Sequence, residues 1–517
     1  MKRNFRKIKL GKSLVFYRKI IQGLALIGFM TLFLLSQSAE QSNNIINIPA
    51  RLDPLLILAQ ILSNRTFLAG SSLALLVVLL TLVFGRVWCG WICPIGTTLD
   101  LVTLNKWRGK RQPPGEVWRS IKYNLLIVTL VAALLGNLTL LFLDPFTIWL
   151  RTMTVAIWPG IDRIVTSVET FLYAVPWMSE SITVFDRLVR PDLLPLYPAF
   201  YRDSLVFAGF FLGIILLNVF APRFWCRYLC PLGGLLGIIS KVALFKRQVR
   251  DNCRSCALCV DVCPTGTIDP ENGYRSDPGE CTICMKCVDV CARKSGTFQA
   301  GFSTSEWNRY NPGRREVLSM TLAAVGGVVL SNNAGKSLAQ SSFLLRPPGA
   351  AIKNVDLVAF SNCVRCGECI RACPTQALQP AVFEAGLAGI GTPLFVMRSG
   401  FCDYACNTCG QICPVEAIPP LALPEKRQQK IGSAYINQNR CIPWSEHTPC
   451  VVCLEMCPLP QKAVVVEEVN IANGEGNSFV LQLPRVDRSL CIGCGICEFQ
   501  CPVPGEAAIR VNNTIIL

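Results

Sequence analysis

The sequence has little histidine and little charge. A single histidine, His447, serves 517 residues, and charged residues make up only 16% of the chain. One histidine excludes a bis-histidine haem, and the haem-attachment pattern C-x-x-C-H is also absent. Any redox chemistry must therefore use thiolate-bound metal or a diffusible cofactor.

The scarcity of charge accompanies an apolar content of 51%, which is typical of a chain with membrane spans. The formal charge of +16 is unevenly placed. Residues 1–331 hold 36 Lys and Arg against 20 Asp and Glu, whereas residues 332–517 hold 14 of each. The basic excess lies among the apolar runs, which indicates loops flanking membrane helices. It does not indicate a nucleic-acid partner, which would require a basic stripe on a soluble face.

Four uncharged runs come first, at 20–39, 66–85, 123–143 and 204–222. Each has about 20 residues, the length that an α-helix needs to cross the hydrocarbon core. Lys and Arg gather in the N-terminal arm, after the second run and after the fourth, while the loops 40–65 and 144–203 hold no basic excess. The positive-inside rule then predicts an inner-membrane protein with a cytoplasmic N-terminus, and the chain returns to the cytoplasm after the fourth span.

An internal repeat follows the second and fourth runs. Its pattern is R-x-W-C-x3-C-P-x-G, beginning at Arg86 and again at Arg223. The repeat contributes four candidate cofactor-binding cysteines, Cys89, Cys93, Cys226 and Cys230. On a helix each pair would lie at i and i+4 on one face. Several roles stay open for them: buried structural cysteine, a thiolate metal site, a redox thiol pair, or docking for cytoplasmic clusters.

The other 24 of the 28 cysteines fall into six groups of four. Three groups follow the bacterial ferredoxin spacing C-x2-C-x2-C-x3-C-P: Cys253, Cys256, Cys259 and Cys263; Cys363, Cys366, Cys369 and Cys373; Cys491, Cys494, Cys497 and Cys501. One keeps the spacing but has Ala292 instead of proline: Cys281, Cys284, Cys287 and Cys291. Two differ at the first gap: Cys402, Cys406, Cys409 and Cys413; Cys441, Cys450, Cys453 and Cys457.

This spacing indicates [4Fe–4S] clusters, six in number. Three thiolates on one loop wrap a cubane, and in two-cluster ferredoxins the fourth cysteine binds the partner cluster. The rule predicts that Cys291 completes the site of Cys253, Cys256 and Cys259, and that Cys263 completes the site of the 281–287 group. Four-cysteine zinc sites also use C-x2-C pairs, but they normally show two pairs with a spacer rather than a run of three.

Residues 311–335 resemble a twin-arginine export signal placed inside the chain. Asn-Pro-Gly-Arg-Arg-Glu-Val-Leu precedes an uncharged, mildly apolar run, and an iron–sulfur domain follows. An Arg-Arg pair can also occur by chance in so basic a chain. If the signal is genuine, the run remains as a fifth span and the last four cysteine groups lie in the periplasm, because this exporter moves folded cargo.

The predicted fold class is an α-helical membrane protein, with a four-helix transmembrane unit and a fifth span, joined to α+β bacterial-ferredoxin-like modules. The predicted parts are a basic cytoplasmic arm (1–19), the four-helix unit (20–246), a cytoplasmic two-cluster domain (247–300), the signal or anchor (311–335) and a periplasmic four-cluster domain (340–517).

These motifs resemble two known families. Residues 1–300 are similar to the NapH/MauN membrane subunits, which have four spans, two C-x3-C-P motifs and a two-cluster tail. Residues 311–517 resemble the NapG/MauM ferredoxins, which have a twin-arginine leader and four cluster sites. The resemblance implies a natural fusion of the two. Likeness to four-cluster subunits also implies nested pairing, with the groups at 363–373 and 491–501 in one module and those at 402–413 and 441–457 in the other.

The resemblance implies an electron carrier that takes electrons from quinol in the membrane quinone pool and passes them to a periplasmic redox enzyme or cytochrome. No histidine lies in the spans, so quinol protons would need an acid such as Asp144, or water. An alternative is an assembly or reactivation factor that supplies electrons for maturing a periplasmic metalloenzyme. A redox sensor built on the C-x3-C-P cysteines would need an output domain, and the sequence shows none.

Overall fold

A computed structural model describes residues 14–36, 47–67, 69–102, 117–175, 177–193, 200–300, 313–338, 344–350, 360, 362–472 and 478–513. The chain divides into two compact units. Unit 1 comprises Met1–Phe33, Ile48–Thr152 and Val206–Val328, and unit 2 comprises Leu34–Asn47, Met153–Leu205 and Val329–Leu517. Most of the N-terminal arm and much of the basic loop after the second apolar run lie outside the described residues.

The described chain up to residue 240 is helical. Its helices are α1 (Leu14–Leu35), α2 (Ile48–Arg51), α3 (Pro54–Asn64), α4 (Leu73–Phe84), α5 (Pro94–Leu101), α6 (Val117–Leu134), α7 (Pro145–Thr152), α8 (Trp158–Tyr173), α9 (Ser179–Leu193), α10 (Ser204–Leu216) and α11 (Pro231–Ser240). Of the helices described, α1 alone is long and apolar enough to cross a membrane, with 22 residues. Four predicted spans therefore stay a prediction.

The other predicted spans form shorter helices for local reasons. In the second run, Ala69–Ser72 forms a 3₁₀ turn before α4, and Gly85 ends α4 with a φ of 74°. That positive φ is available to glycine at little cost, so the chain turns sharply there. The third run begins inside α6, whose first turns carry Arg119 and Lys122. The fourth run forms α10 and then a 3₁₀ turn at Leu217–Val219.

The two halves of the helical part of unit 1 are built alike. In each half a short helix opens with Asp-Pro (α3 and α7), and another follows the C-x3-C-P motif (α5 and α11). Helix α3 packs against α11, and α7 packs against α5. Each short Asp-Pro helix thus packs on the helix that follows the cysteine motif in the other half. The two halves of the repeat therefore make equivalent contacts with each other.

Both cysteine motifs adopt the same unusual backbone. Trp88–Ile92 and Trp225–Leu229 are π-helical, and each ends at the second cysteine of its motif. The prolines that follow, Pro94 and Pro231, open α5 and α11 at the first helical position, where proline is well tolerated. Short π-helical turns are frequent at functional sites.

The rest of unit 1 contains the first pair of ferredoxin-type cysteine groups. Its elements are β1 (Phe245–Val249), α12 (Leu258–Asp261), β2 (Ile268–Asp269), β3 (Arg275–Ser276), α13 (Lys286–Val290) and β4 (Gly296–Ala300). Strand β1 pairs antiparallel with β4, and β2 pairs with β3 between the two cysteine groups. Helices α12 and α13, one from each group, pack together.

The predicted fifth span forms α14 (Arg314–Leu338), a helix of 25 residues. Arg314 and Arg315 lie in its first turn and are exposed. One stripe of α14 is buried, at Met320, Ala324 and Val328. The helix is long enough to span a bilayer, but its composition does not meet the hydropathy that α1 meets.

The last four cysteine groups belong to unit 2. They form two modules, each built like the segment β1–β4 of unit 1. Their elements are α15 (Glu368–Arg371), β5 (Leu378–Pro380), β6 (Pro393–Phe395), α16 (Thr408–Gln411), α17 (Leu423–Gln428), β7 (Ser433–Ile436), α18 (Ile442–Ser445), α19 (Val452–Glu455), β8 (Val464–Ala472), β9 (Ser478–Val486), α20 (Ile496–Phe499) and β10 (Ile509–Asn512). Strand β7 pairs with β10, and β8 pairs with β9. The sequence predicts short strands at 434–437 and 479–486 that run into the next cysteine group, and β7 and β9 confirm both.

Unit 2 also contains parts of both loops that were predicted to lie outside. Asn47 Nδ2 donates to Ile412 O at 3.3 Å. The guanidinium of Arg371 lies 5.8 Å from the ring centroid of Trp158, at the start of α8. Gln379 Nε2 donates to Phe200 O at 2.9 Å. These contacts join both predicted outer loops to the first module of unit 2.

Candidate iron–sulfur sites

The first site, site 1, joins three cysteines of one group to one cysteine of the next. Cys253, Cys256, Cys259 and Cys291 line one cavity of about 240 Å³, which Cys287 of the neighbouring group also borders. Cys256 is exposed, whereas Cys253 and Cys259 are partly buried. This is the exchange of the fourth cysteine that the ferredoxin spacing predicts.

Site 2 is the complementary set, Cys281, Cys284, Cys287 and Cys263. Burial raises the pKa of the Cys281 thiol, and the nearby thiolates of Cys287 and Cys284 raise it further. Cys263 also acts on Cys281 and on Cys284, so the four thiols are neighbours. Burial and neighbouring thiolates disfavour ionisation of Cys281, Cys284 and Cys287, whereas bound iron would stabilise the thiolates.

Sites 3 to 6 follow the same rule in unit 2, where four small cavities are each surrounded by four cysteines. Site 3 consists of Cys363, Cys366, Cys369 and Cys413. Site 4 consists of Cys373, Cys402, Cys406 and Cys409. Site 5 consists of Cys457, Cys491, Cys494 and Cys497. Site 6 consists of Cys441, Cys450, Cys453 and Cys501.

The predicted nested pairing is therefore wrong, because the groups pair consecutively. Helix α15 packs against α16, and α19 packs against α20. Burial raises the pKa of Cys413 to about 11, and Cys363 is among the thiolates that raise it. The fourth cysteine of each group follows a one-turn helix, and the packing of these helices decides which group it joins. Likeness in spacing between two groups does not determine which helices pack together.

Sites 4 and 5 meet where the two modules pack. The Cys402 N–H donates to Cys494 O at 2.8 Å. Burial raises the pKa of Cys402 to about 12, against the lowering effect of Lys426, and Cys373 and Cys494 add to the rise. Arg398 strengthens the junction, since its guanidinium donates to Glu498 O at 3.0 Å. The sites of unit 2 thus form a row in the order 3, 4, 5, 6.

None of the 28 cysteines, all of which lie in the described part of the chain, forms a disulfide bond. Within the described part of the chain, no three Cys, His, Asp or Glu side chains are close enough to hold one metal ion. A zinc site requires four ligands about 2.0–2.3 Å from a single ion. In a cubane each thiolate binds its own iron, so its ligands need not converge on one point.

The four cysteines of the C-x3-C-P motifs, here called the membrane-edge cysteines, are brought together by the packing of the two halves. All four are buried. Burial raises the pKa of Cys230, and Cys226, Cys89 and Cys93 are among the groups that raise it further. Burial also raises the pKa of Cys226 to about 11, although Arg223 and Arg86 oppose the rise. A group of four thiols with two cations beside it has the chemistry of a thiolate-bound centre.

The two arginines of the repeat reach across to the opposite motif. Arg223 Nη1 donates to Cys89 O at 3.2 Å. A Cβ on Gly233 would lie 2.8 Å from Arg86 Nη2, and a Cβ on Gly96 would lie 3.9 Å from Arg223 Nη2. Gly233 therefore makes room for the arginine of the other motif, whereas a Cβ on Gly96 would first meet Cys89 O of its own motif, at 2.8 Å.

Site 2 lies directly against the first cysteine motif. Trp91 Nε1 donates to Ile283 O at 3.0 Å, and Arg86 Nη1 donates to Gly279 O at 2.9 Å. A Cβ built on Gly90 would lie 2.0 Å from Thr282 O. The loop that carries Cys281 and its neighbours thus rests on the segment between Cys89 and Cys93.

A buried ionic cluster holds the same junction. Glu280 accepts from Lys122 Nζ at 2.5 Å and from Tyr123 Oη at 2.9 Å, and it lies 3.8 Å from Arg86 Nη1. Burial opposes ionisation of Glu280, but Lys122 and Arg86 outweigh it and hold its pKa below the usual value. The membrane-edge cysteines and site 2 are therefore parts of one packed region.

Gly90→Ala is expected to force the site 2 loop away from the first motif, because its Cβ has no space before Thr282 O. Overpacking of this kind costs about 1–3 kcal/mol. The midpoint of heat denaturation, followed by loss of cluster absorbance, should fall. Gly213→Ala is the matched control, since nothing lies within 4 Å of its Cβ. Equal midpoints for the two variants would contradict the contact.

The structure adds one pair of residues that motif analysis did not bring together, Asp53 and Asp144. Both carboxyls are buried, and each opens a short Asp-Pro helix. Sequence reasoning singled out Asp144 alone as a proton acceptor. The signal for Asp53 was present, since Leu-Asp-Pro occurs at 52–54 and again at 143–145.

Comparison with known proteins bears on these sites. Three family models, each described as a 4Fe-4S binding domain, match residues 66–114 with 204–250, residues 358–379 and residues 483–509. The methylamine utilization ferredoxin-type protein MauM of Methylorubrum extorquens is 36% identical over 209 residues, which cover 39% of this chain and 89% of that protein. MauM of Methylophilus methylotrophus is 33% identical over 206 residues, with 39% and 86% covered. The ferredoxin-type protein NapG of Escherichia coli is 34% identical over 210 residues, with 38% and 85% covered.

The chain belongs to the MauM/NapG family of ferredoxin-type proteins. No solved structure matches it. Family membership and the matching 4Fe-4S domains make it an iron–sulfur electron-transfer protein. The first of those family models covers both C-x3-C-P motifs, so the membrane-edge cysteines lie within segments that match a 4Fe-4S binding domain. Fusion with a NapH/MauN-type membrane unit stays a prediction.

Proposed function

We propose that the protein is a multi-pass inner-membrane electron carrier that oxidises quinol and passes the electrons to a periplasmic redox enzyme or cytochrome. Six [4Fe–4S] clusters, at sites 1 to 6, carry them. The proposal depends chiefly on the row of sites 3 to 6, which belongs to the same unit as residues of both predicted outer loops. In this proposal residues 311–517 form the part related to MauM and NapG, since that segment has the length of the matched stretch.

Exposed apolar side chains support the membrane part of the proposal. Leu24 and Ile27 on α1, Leu75 and Leu76 on α4, and Leu212 on α10 are more than half exposed. Monomeric soluble proteins rarely expose contiguous apolar surfaces of this kind. Lipid contact accounts for exposed apolar side chains on these three helices.

Contacts within each unit support the proposed sidedness. The two-cluster domain packs on Arg86, Trp91 and Lys122, which belong to predicted cytoplasmic segments. The four-cluster part packs on Asn47 and Trp158, which belong to predicted outer segments. The chain must then cross the membrane between residues 300 and 344, and α14 is the helix available there. Its exposed residues include Leu318 and Leu322.

The test is reduction of the purified protein by quinol under anaerobic conditions. A ubiquinol and a menaquinol analogue are each added, and the broad visible absorbance of the oxidised clusters is followed. We expect at least one quinol to bleach a substantial part of the absorbance that dithionite bleaches. If dithionite reduces the clusters and neither quinol does, quinol oxidation is excluded. Electron supply for maturation of a partner enzyme would then remain as the function.

A further inference from the structure

Two carboxyl groups that no metal site explains lie in the interior of unit 1. Asp53 caps α3, and its Oδ1 accepts from the backbone N–H groups of Leu55 and Leu56 at 2.9 and 3.3 Å. Asp144 caps α7 in the same way, with Oδ2 accepting from Phe146 and Thr147 at 2.9 and 3.3 Å. Their exposed fractions are 2% and 0%. Two equivalent positions of the repeat thus carry equivalent carboxyls.

The two carboxyls lie close enough to act on each other, and among the described residues Asp144 Oδ1 has no hydrogen-bond partner. Two carboxylates in one apolar interior repel each other, which favours a proton on one of them. Among the described residues, the main groups acting on them are helix amides and each other, and no basic side chain is among these. The arrangement is a proton-sharing pair in an apolar interior.

An independent feature lies on α7, the helix that Asp144 caps. Trp149 lies on α7 with an exposed fraction of 1%, and in the described residues its indole N–H has no acceptor. A buried donor without a partner costs about 1–3 kcal/mol. Phe146, which donates its backbone N–H to Asp144, is three residues from Trp149 and shares its helix face. The rings of both residues lie within 6.3 Å of that of Phe29 on α1.

We propose that the quinol head group binds beside the Asp53–Asp144 pair, between it and the aromatic residues Phe29, Phe146 and Trp149. The Trp149 N–H donates to one quinol oxygen, and the other hydroxyl faces the carboxyl pair. This assignment rests on the proposed quinol oxidation and names the residues that perform it.

The reaction balances with these groups. Quinol loses two electrons and two protons and becomes quinone. The electrons leave one at a time to oxidised clusters, each of which gains one electron. The singly protonated carboxyl pair accepts the first proton and becomes neutral, releases it to water, and then accepts the second. General-base assistance of this kind is worth about 10²–10⁴-fold in rate.

The test compares quinol-driven cluster reduction in Asp53→Asn/Asp144→Asn with that in the unaltered protein. Asparagine is as good an N-cap as aspartate, so both helices keep their capping hydrogen bonds, but the amide accepts no proton. We expect the rate to fall at least about 100-fold, with unchanged reduction by dithionite. Asp144→Glu in the otherwise unaltered protein keeps both carboxyl groups and should retain much of the rate.

Two further variants separate binding from proton transfer. Trp149→Phe removes only the N–H donor, so we expect a higher quinol concentration at half-maximal rate with little change in the maximal rate. Glu180→Gln is the matched control, because it makes the same chemical change at an exposed position of α9. If quinol reduces the unaltered protein and the Asp53→Asn/Asp144→Asn variant equally fast, this assignment is overturned. The proposed quinol oxidation would not be affected by that result. Failure of the unaltered protein to react would instead overturn the proposed function.

Discussion

Cys363→Ala and Cys413→Ala are expected to remove the same cluster. Each single variant should lose about four iron atoms per chain, and the double variant should lose no more than either one. The reason is that both thiols line site 3, although 50 positions separate them along the chain. Loss of one thiolate leaves a cubane with three protein ligands, and loss of the second adds nothing once that cluster is gone.

A second double variant is expected to lose two clusters rather than one. Cys413 and Cys441 belong to sites 3 and 6, so Cys413→Ala/Cys441→Ala should lose about eight iron atoms. Iron and acid-labile sulfide are measured on protein prepared anaerobically. The nested pairing predicts the reverse, with one cluster lost here and two lost in Cys363→Ala/Cys413→Ala. That result would contradict the consecutive pairing directly.

Glu280→Gln is expected to destabilise the junction between the domain of sites 1 and 2 and the helical part of unit 1. Glu280 is 2% exposed and neutralises the buried Lys122, with Arg86 nearby. Removing one partner of a buried ionic cluster typically costs about 3–5 kcal/mol, because the remaining charge stays buried without compensation. The heat-denaturation midpoint, followed through cluster absorbance, should fall by on the order of 5–10 °C.

Two comparisons make this result specific. Glu271→Gln makes the same change at an exposed position of the same domain and should leave the midpoint within about a degree or two. Lys122→Met/Glu280→Gln removes both charges of the closest pair and should recover part of the lost stability. A single variant as stable as the Glu271→Gln control would show that the ionic cluster contributes nothing to the junction.

Distance along the chain explains which pairing of cysteine groups was predicted correctly from the sequence and which was not. The exchange between the groups at 253–263 and 281–291 was predicted correctly, because only 17 residues separate the two groups and one hairpin connects them. The pairing of the last four groups was predicted wrongly, because two arrangements satisfy the same local spacing. Packing of α15 on α16 and of α19 on α20 selects between them.

The sequence by itself determined where the cysteine groups lie and which three thiols of each group act together, since a cubane-binding loop is specified by residues within about ten positions of one another. It also determined the repeat of R-x-W-C-x3-C-P-x-G. Only the tertiary structure decided the partner of each fourth cysteine, the meeting of the four membrane-edge cysteines and the Asp53–Asp144 pair. Each of these joins residues that are far apart in the chain, and their proximity results from helix packing rather than from local spacing.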